Sequence, residues 1–234
     1  MWEVRFLEVD AKGFELLNGL NCDVFTSVKH DVDNTHFVEH FIRFAGHDND
    51  QPTKVLEIAE KHLKVYAAVL KLNGYEIRPK VDHPCKINED GTRCIYLSLE
   101  DRIDIKDHLE ISQNGEVTYS SIQAKNDLNK SLVANALADE DKKEILILLG
   151  EEHNWINAYK IYEILRKKFR NEKELKSYEE LKYFAHSANS PEAIGISNAR
   201  HAVQDHQNPK KIADLETSYK RLIELSVEYI AEIA

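Results

Sequence analysis

With 234 residues, 42% of them hydrophobic and 31% charged, and only eight glycines and five prolines, the chain has the make-up of a folded globular protein; disordered and collagen-like classes are excluded. A net charge of −10 argues against broad nucleic-acid binding, because phosphate contacts need clustered Lys and Arg. The acid surplus is lopsided: residues 1–150 hold 18 Lys and Arg against 27 Asp and Glu, whereas residues 151–234 hold 13 against 14.

The chain opens with WEVRFLEV (Trp2 to Val9), apolar at every second position in the manner of a half-buried strand. Glu3 and Arg5 also break the apolar core that a secretory leader needs, and no later run approaches the length of a membrane span. Cys22, Cys85 and Cys94 are odd in number and lack the close pairing of a zinc site or redox pair, so they read as reduced thiols. A cytoplasmic protein with no membrane partner is expected.

CDVFTSVKHDV (Cys22 to Val32) and HFVEHFIRFAG (His36 to Gly46) repeat the strand period. The second contains His36, Glu39 and His40 as H-x-x-E-H, a zinc-protease spacing that requires a helix to bring both histidines together. A strand separates them, so no metal site is expected, and the segment reads as an edge strand with polar residues facing water. QPTKVLEIAEKHLKVYAAVLKLNG then carries Pro52 near a helix start, Val55, Ile58, Leu63, Tyr66 and Leu70 at helical spacing, and Asn73-Gly74 as a stop. YEIRPKVD (Tyr75 to Asp82) and RCIYLSLED (Arg93 to Asp101) return to strand alternation, with Glu89-Asp90-Gly91 as a turn between them.

From about Ile122 the period becomes helical. Helices are predicted over Gln123 to Ala138, Asp139 to Leu149, Asn154 to Phe169, Ser177 to about Phe184, and Asp214 to Ile233. Ser177 with Glu180 three residues on has the form of a capping box. In the last helix Leu215, Tyr219, Leu222, Ile223 and Ile230 share a face, which predicts burial against several helices or a second subunit. The fold expected is α+β: an N-terminal antiparallel sheet with a packed helix over residues 1–121, followed by an all-helical bundle over 122–234.

Phosphate loops, dinucleotide glycine fingerprints and serine nucleophile elbows are missing from the sequence, which sets aside the common nucleotide-driven and acyl-transfer enzymes. The densest basic run is RKKFR, with Arg166, Lys167, Lys168 and Arg170 at a helix carboxyl end. Cations there complement the helix dipole, and they are also the candidate RNA-binding patch. Trp155, Tyr159 and Tyr162, at helical spacing, are assigned to packing rather than to base stacking.

Before the last helix comes ARHAVQDHQNP (Ala199 to Pro209), with Arg200, His201 and His206. A histidine titrates near neutrality and can move the proton of a ribose 2′-hydroxyl, while a guanidinium can hold a phosphate and its developing charge. Together they can cleave RNA with no metal and no cofactor. The same polar residues, with His186 and Asn189, can instead tie the Ser187 to Ser197 stretch to neighbouring helix ends.

An arginine, a few residues, a histidine and a closing amphipathic helix within a helical bundle resemble the HEPN superfamily, whose many ribonucleases act in toxin–antitoxin, CRISPR and anti-phage systems. The segment is also similar to the tail of a group of bacterial proteins in which Arg200 and His201 are the firmer match. The resemblance implies Arg200 and His206 as the catalytic pair and His201 as the supporting polar residue. It also implies a homodimer that joins two such pairs, RNA as substrate, and an N-terminal domain that engages a protein partner or activator. The other reading is a non-catalytic binding or scaffolding protein with a helical dimerisation domain.

Overall fold

The structure, a computed structural model, describes residues 1–32, 35–47, 49–89, 92–96, 122–169, 175–199 and 209–232, with the side chains of 28–32, 35–37, 93 and 122–126 outside that description. The fold is α+β, as the change of period predicts. It divides into two compact units, Met1–Lys130 and Ser131–Ala234.

In the first unit, β1 (Trp2–Leu7), β2 (Phe25–Val32), β3 (Thr35–Phe44), β4 (Lys80–Ile87) and β5 (Arg93–Ile95) form one antiparallel sheet ordered β2-β3-β1-β4-β5. The alternation read in β1 is the physical reason: Trp2, Val4 and Phe6 stand opposite Phe44, Ile42 and His40 of β3, so one face of the pleat is almost wholly apolar. Helix α1 (Ala11–Leu20) and helix α2 (Pro52–Leu72) belong to this unit, and α2 packs on β1 and β4. Val55, Ala59, Leu63, Tyr66 and Val69 of α2 are buried at the spacing the sequence shows. Pro52 opens α2, and past its end Gly74 takes φ 83°, a left-handed position glycine adopts without a Cβ penalty.

Three expectations change here. β3 is interior, between β2 and β1, so Glu39 and His40 of the H-x-x-E-H spacing are not on an edge facing water. Glu39 pairs with Arg5, and the ring of His40 stacks on Phe14 of α1 at 4.0 Å. The strand read from Tyr75 starts instead at Lys80. Helix α1 has no counterpart in the sequence reading. Gly13 within it meets Val9 and Ile77 so closely that an added Cβ would lie 2.9 Å from Val9 Cγ1.

Helix α3 (Ile122–Ala138) contains the division between the units. The second unit continues with α4 (Glu140–Gly150), α5 (Trp155–Lys168), a 3-10 turn (Glu179–Leu181), α6 (Phe184–Ala188), α7 (Pro191–Ile194) and α8 (Leu215–Ala231). Asp139, Asn154 and Asp214 each cap a helix by accepting the N–H three residues on. Tyr219, Leu222, Leu225 and Ile230 of α8 are buried, and α8 packs against α4, α5 and the 3-10 turn. The helix predicted from Ser177 is broken into that turn and α6, and the stretch from Ser187 to Ser197, read as a loop, contains α7.

Candidate functional site

The helical unit is built around an aromatic cluster. Tyr162 and Phe184 are fully buried, with ring centroids 5.6 Å apart, and Trp155 stacks on Phe184 at 5.6 Å. Trp155, Tyr159 and Tyr162 therefore do pack together, as their spacing predicts. The cluster seats α6 against α5, which is how a five-residue helix too short to stand alone keeps its place.

Polar side chains fix what surrounds it. Asn189, at the end of α6, donates to the Tyr159 hydroxyl at 3.2 Å and to the Ala185 carbonyl at 2.8 Å. Ser187 is fully buried and its Oγ accepts the Ala213 N–H at 2.9 Å. The Ser218 hydroxyl donates to the Glu180 carbonyl at 2.7 Å, tying α8 to the 3-10 turn. Asn189 thus has the anchoring role that the structural reading gave it.

Between these elements lies a groove of about 290 Å³, lined by Glu179, Glu180, Tyr183, Lys211, Ile212 and Asp214, among others. Its carboxylates are engaged locally. Glu179 lies 3.5 Å from Lys182, Glu180 lies 3.8 Å from Arg221, and Asp214 accepts from the Thr217 N–H and hydroxyl at 2.9 and 2.6 Å. Those two bonds from Thr217 hold the Asp214 carboxyl below its ordinary range. The groove stands at the amino end of α8, beside the point where Pro209 to Ala213 lead into the helix.

Arg200, His201 and His206, the predicted catalytic residues, lie outside the described residues, as does Arg170 of the basic run. Arg166, Lys167 and Lys168 form the last turn of α5. Lys167 lies 3.4 Å from Asp141, and the Lys168 ammonium sits 4.3 Å from the centre of the Tyr229 ring. Burial, then the carboxylates of Asp139, Asp141 and Glu232, push the Tyr229 phenol up. Tyr229 is twelve residues from Thr217 on α8, about 18 Å along the axis at ~1.5 Å per residue. The Lys167–Lys168 pair and the groove therefore stand at opposite ends of one helix.

Two arrangements escape sequence reasoning. In the helical unit, His153 stacks on Tyr219 at 3.8 Å with its Nδ1 3.5 Å from Glu216, and burial pushes the Tyr219 phenol up. Nothing in Glu151-Glu152-His153 signals that contact. In the sheet unit, the register between β1 and β4 shifts so that Asp82 and His83 together oppose Arg5. Such a bulge re-aims side chains, and Asp82 Oδ2 lies 3.1 Å from Arg5 Nη1 and 3.0 Å from His83 Nδ1. Arg5 Nε lies 3.0 Å from Glu39, so four charged or titratable groups join three strands. Strand alternation cannot reveal a bulge, because the extra residue is defined only against its partner.

Among the described residues no group of three or more His, Cys, Asp and Glu could hold a metal ion, and no described helix is long and apolar enough to cross a membrane. The described residues thus define an α+β protein with an aromatic-centred helical unit that carries a groove lined by mixed charge. Compared with protein-family models, curated proteins and solved structures, the chain matches nothing.

Proposed function

We propose that the chain is a metal-independent endoribonuclease of HEPN type, acting in a bacterial toxin or anti-phage defence system. The observation that supports this reading is the mounting of the catalytic segment's flanks. Upstream, Ala199 is 8% exposed and its N–H donates to the Gly195 carbonyl. Downstream, the Ala213 N–H is held by buried Ser187 just before Asp214 caps α8. The described residues on either side are thus held within one helical unit, at Ala199 and at Ala213, and held flanks are what positioning a phosphate for in-line attack calls for.

In this reading His206 takes the proton of the ribose 2′-hydroxyl, and the freed oxygen attacks the adjacent phosphorus. The bond to the 5′-oxygen breaks, and that oxygen leaves with a proton from water or from the partner subunit's histidine. Arg200 balances the charge that gathers on the non-bridging oxygens, and His201 supports it. The products are a 2′,3′-cyclic phosphate and a 5′-hydroxyl. The sheet unit, where the acid surplus lies, engages the protein partner or activator that releases activity.

Expression of the wild type beside Arg200→Ala and His206→Ala, with growth and RNA integrity followed under activating conditions, tests the reading. The wild type should cut RNA and slow growth, and both variants should not; equal RNA integrity in all three removes the catalytic reading. The alternative, a non-catalytic binding or scaffolding protein, is favoured by the engagement of Lys167 and Lys168 inside their own unit, which leaves that run less charge for phosphates.

A further inference from the structure

We propose, independently of the nuclease reading, that the groove at the amino end of α8 is a docking site for a basic segment of a partner protein, with an arginine or lysine seated beside an apolar side chain. Glu179, Glu180 and Asp214 line the groove against one lysine, Lys211. The sign of its field depends on how far each carboxylate is neutralised. Glu179 lies 3.5 Å from Lys182 and is offset by it. Asp214 accepts from the N–H and hydroxyl of Thr217, which are neutral donors, so its full charge remains. Glu180 lies 3.8 Å from Arg221, but the same guanidinium is nearer Glu224, at 2.8 Å, so one cation serves two carboxylates. Glu216 adds a further carboxylate in the first turn of α8, and with Asp214 it outweighs the roughly half positive charge of that helix end.

The rest of the lining suits what a basic side chain brings besides its charge. The ammoniums of Lys182 and Lys211 lie 5.6 and 5.9 Å from the centre of the Tyr183 ring, so the ring already draws the chain's own cations. A guanidinium is more weakly hydrated than an ammonium and stacks on an aromatic face while its fork reaches carboxylates, which favours arginine over lysine as the occupant. Ile212 is 53% exposed and offers apolar surface to the aliphatic stem of that arginine or to a neighbouring leucine. The volume of about 290 Å³ is less than one helical turn, ~5.4 Å long and ~10 Å across, would fill. What enters is therefore a side chain or two of an extended segment, and the same carboxylates turn phosphates away.

The test uses the full chain and two short fluorescent peptides, one alternating arginine with leucine and one alternating glutamate with leucine. The basic peptide should bind, less tightly as salt is added, and the acidic one should not bind. Glu180→Gln with Asp214→Asn should weaken the basic peptide by about tenfold at low salt. Asparagine also caps helices, so this variant removes charge while the start of α8 stays. Tyr183→Ala should weaken binding by about fivefold, and Lys211→Ala should strengthen it by about threefold. Glu57→Gln, at a carboxylate of the sheet unit paired with Lys54, should leave it unchanged. Equal weakening by Glu57→Gln would reduce the binding to the net charge of −10 and overturn the proposal. So would no binding of the basic peptide, unchanged affinity in the groove variants, or weaker binding in Lys211→Ala. Direct binding of a fluorescent oligouridine that Lys211→Ala abolishes would hand the groove to nucleic acid, and self-association that Glu180→Gln with Asp214→Asn abolishes would hand it to a second copy of the chain; either result overturns the proposal.

Discussion

The two units solve the same problem, burying polar groups beside an apolar core, with different chemistry. In the sheet unit the buried and half-buried polar groups are largely charges paired across strands. Glu3 is wholly buried and its Oε1 accepts from Arg43 Nε at 2.8 Å, while Arg5 joins Glu39 to Asp82. In the helical unit they are mostly hydroxyls and amides bonded to backbone: Ser187 to Ala213, Ser218 to Glu180, Asn135 to Ile230, Asn189 to Ala185. A strand ladder satisfies its own backbone and leaves side chains to pair with one another. Short helices leave N–H and C=O groups over at every end, and small polar side chains take them up.

The largest effect expected within this contrast is on the helical unit's apolar centre. Phe184→Ala removes the ring that touches Trp155, Tyr159 and Tyr162, and should cost about 3–5 kcal/mol in urea denaturation followed by circular dichroism. Next comes the sheet. Arg43→Met leaves the Glu3 carboxylate buried without its cation, which should cost about 2–3 kcal/mol, less than a fully enclosed pair because the Arg43 side chain is 40% exposed. Adding Glu3→Gln should recover part of that loss, since the charge is gone. No recovery would mean that the pair acts through packing and not through charge, and the contrast between the units would weaken.

Ser187→Ala should be smaller, at about 1–2 kcal/mol, the effect of leaving one buried backbone donor unsatisfied. It sharpens the comparison in a second way. If residues 200–208 carry the proposed catalytic pair and the Ser187 bond positions their flank, RNA cleavage should fall more than the stability change accounts for. Ribonuclease assays run well below the melting temperature separate the two effects.

What the sequence made legible follows the same division. Alternation in Trp2–Leu7 and Thr35–Phe44 and the spacing of Val55, Leu63 and Tyr66 foretell the sheet and α2, because a single buried face imposes a period. Helix α1 has two glycines in ten residues, a weak helical signal, and Gly13 sits where an added Cβ would meet Val9 and Ile77. The Asp82–His83 bulge was hidden because it is a property of two strands. In the helical unit α4, α5 and α8 were readable from period and caps, but the stretch from Glu179 to Ile194 was not. Its turns are a few residues long, too short to show a period, and are kept by Ser187, Asn189 and Ser218. The candidate site has the same difficulty: Arg200, His201 and His206 could be read as types and spacings, whereas the groove could not, since Tyr183 and Lys211 meet only through the fold.

The smallest effect expected is a dependence on pH at the cap of α8. Asp214 accepts the Thr217 N–H and hydroxyl, and these bonds favour its charged form, so its carboxyl titrates below the unfolded value. A lowered folded value means that the unfolded chain takes up the proton first. The stabilisation is therefore fully present above the ordinary carboxylate range and is lost as pH falls through the folded value. In thermal melts, Asp214→Ala should lower the melting temperature near neutrality, and the gap from wild type should close as the medium is acidified. A gap that stays constant with pH would show that Asp214 acts through helix-start geometry alone.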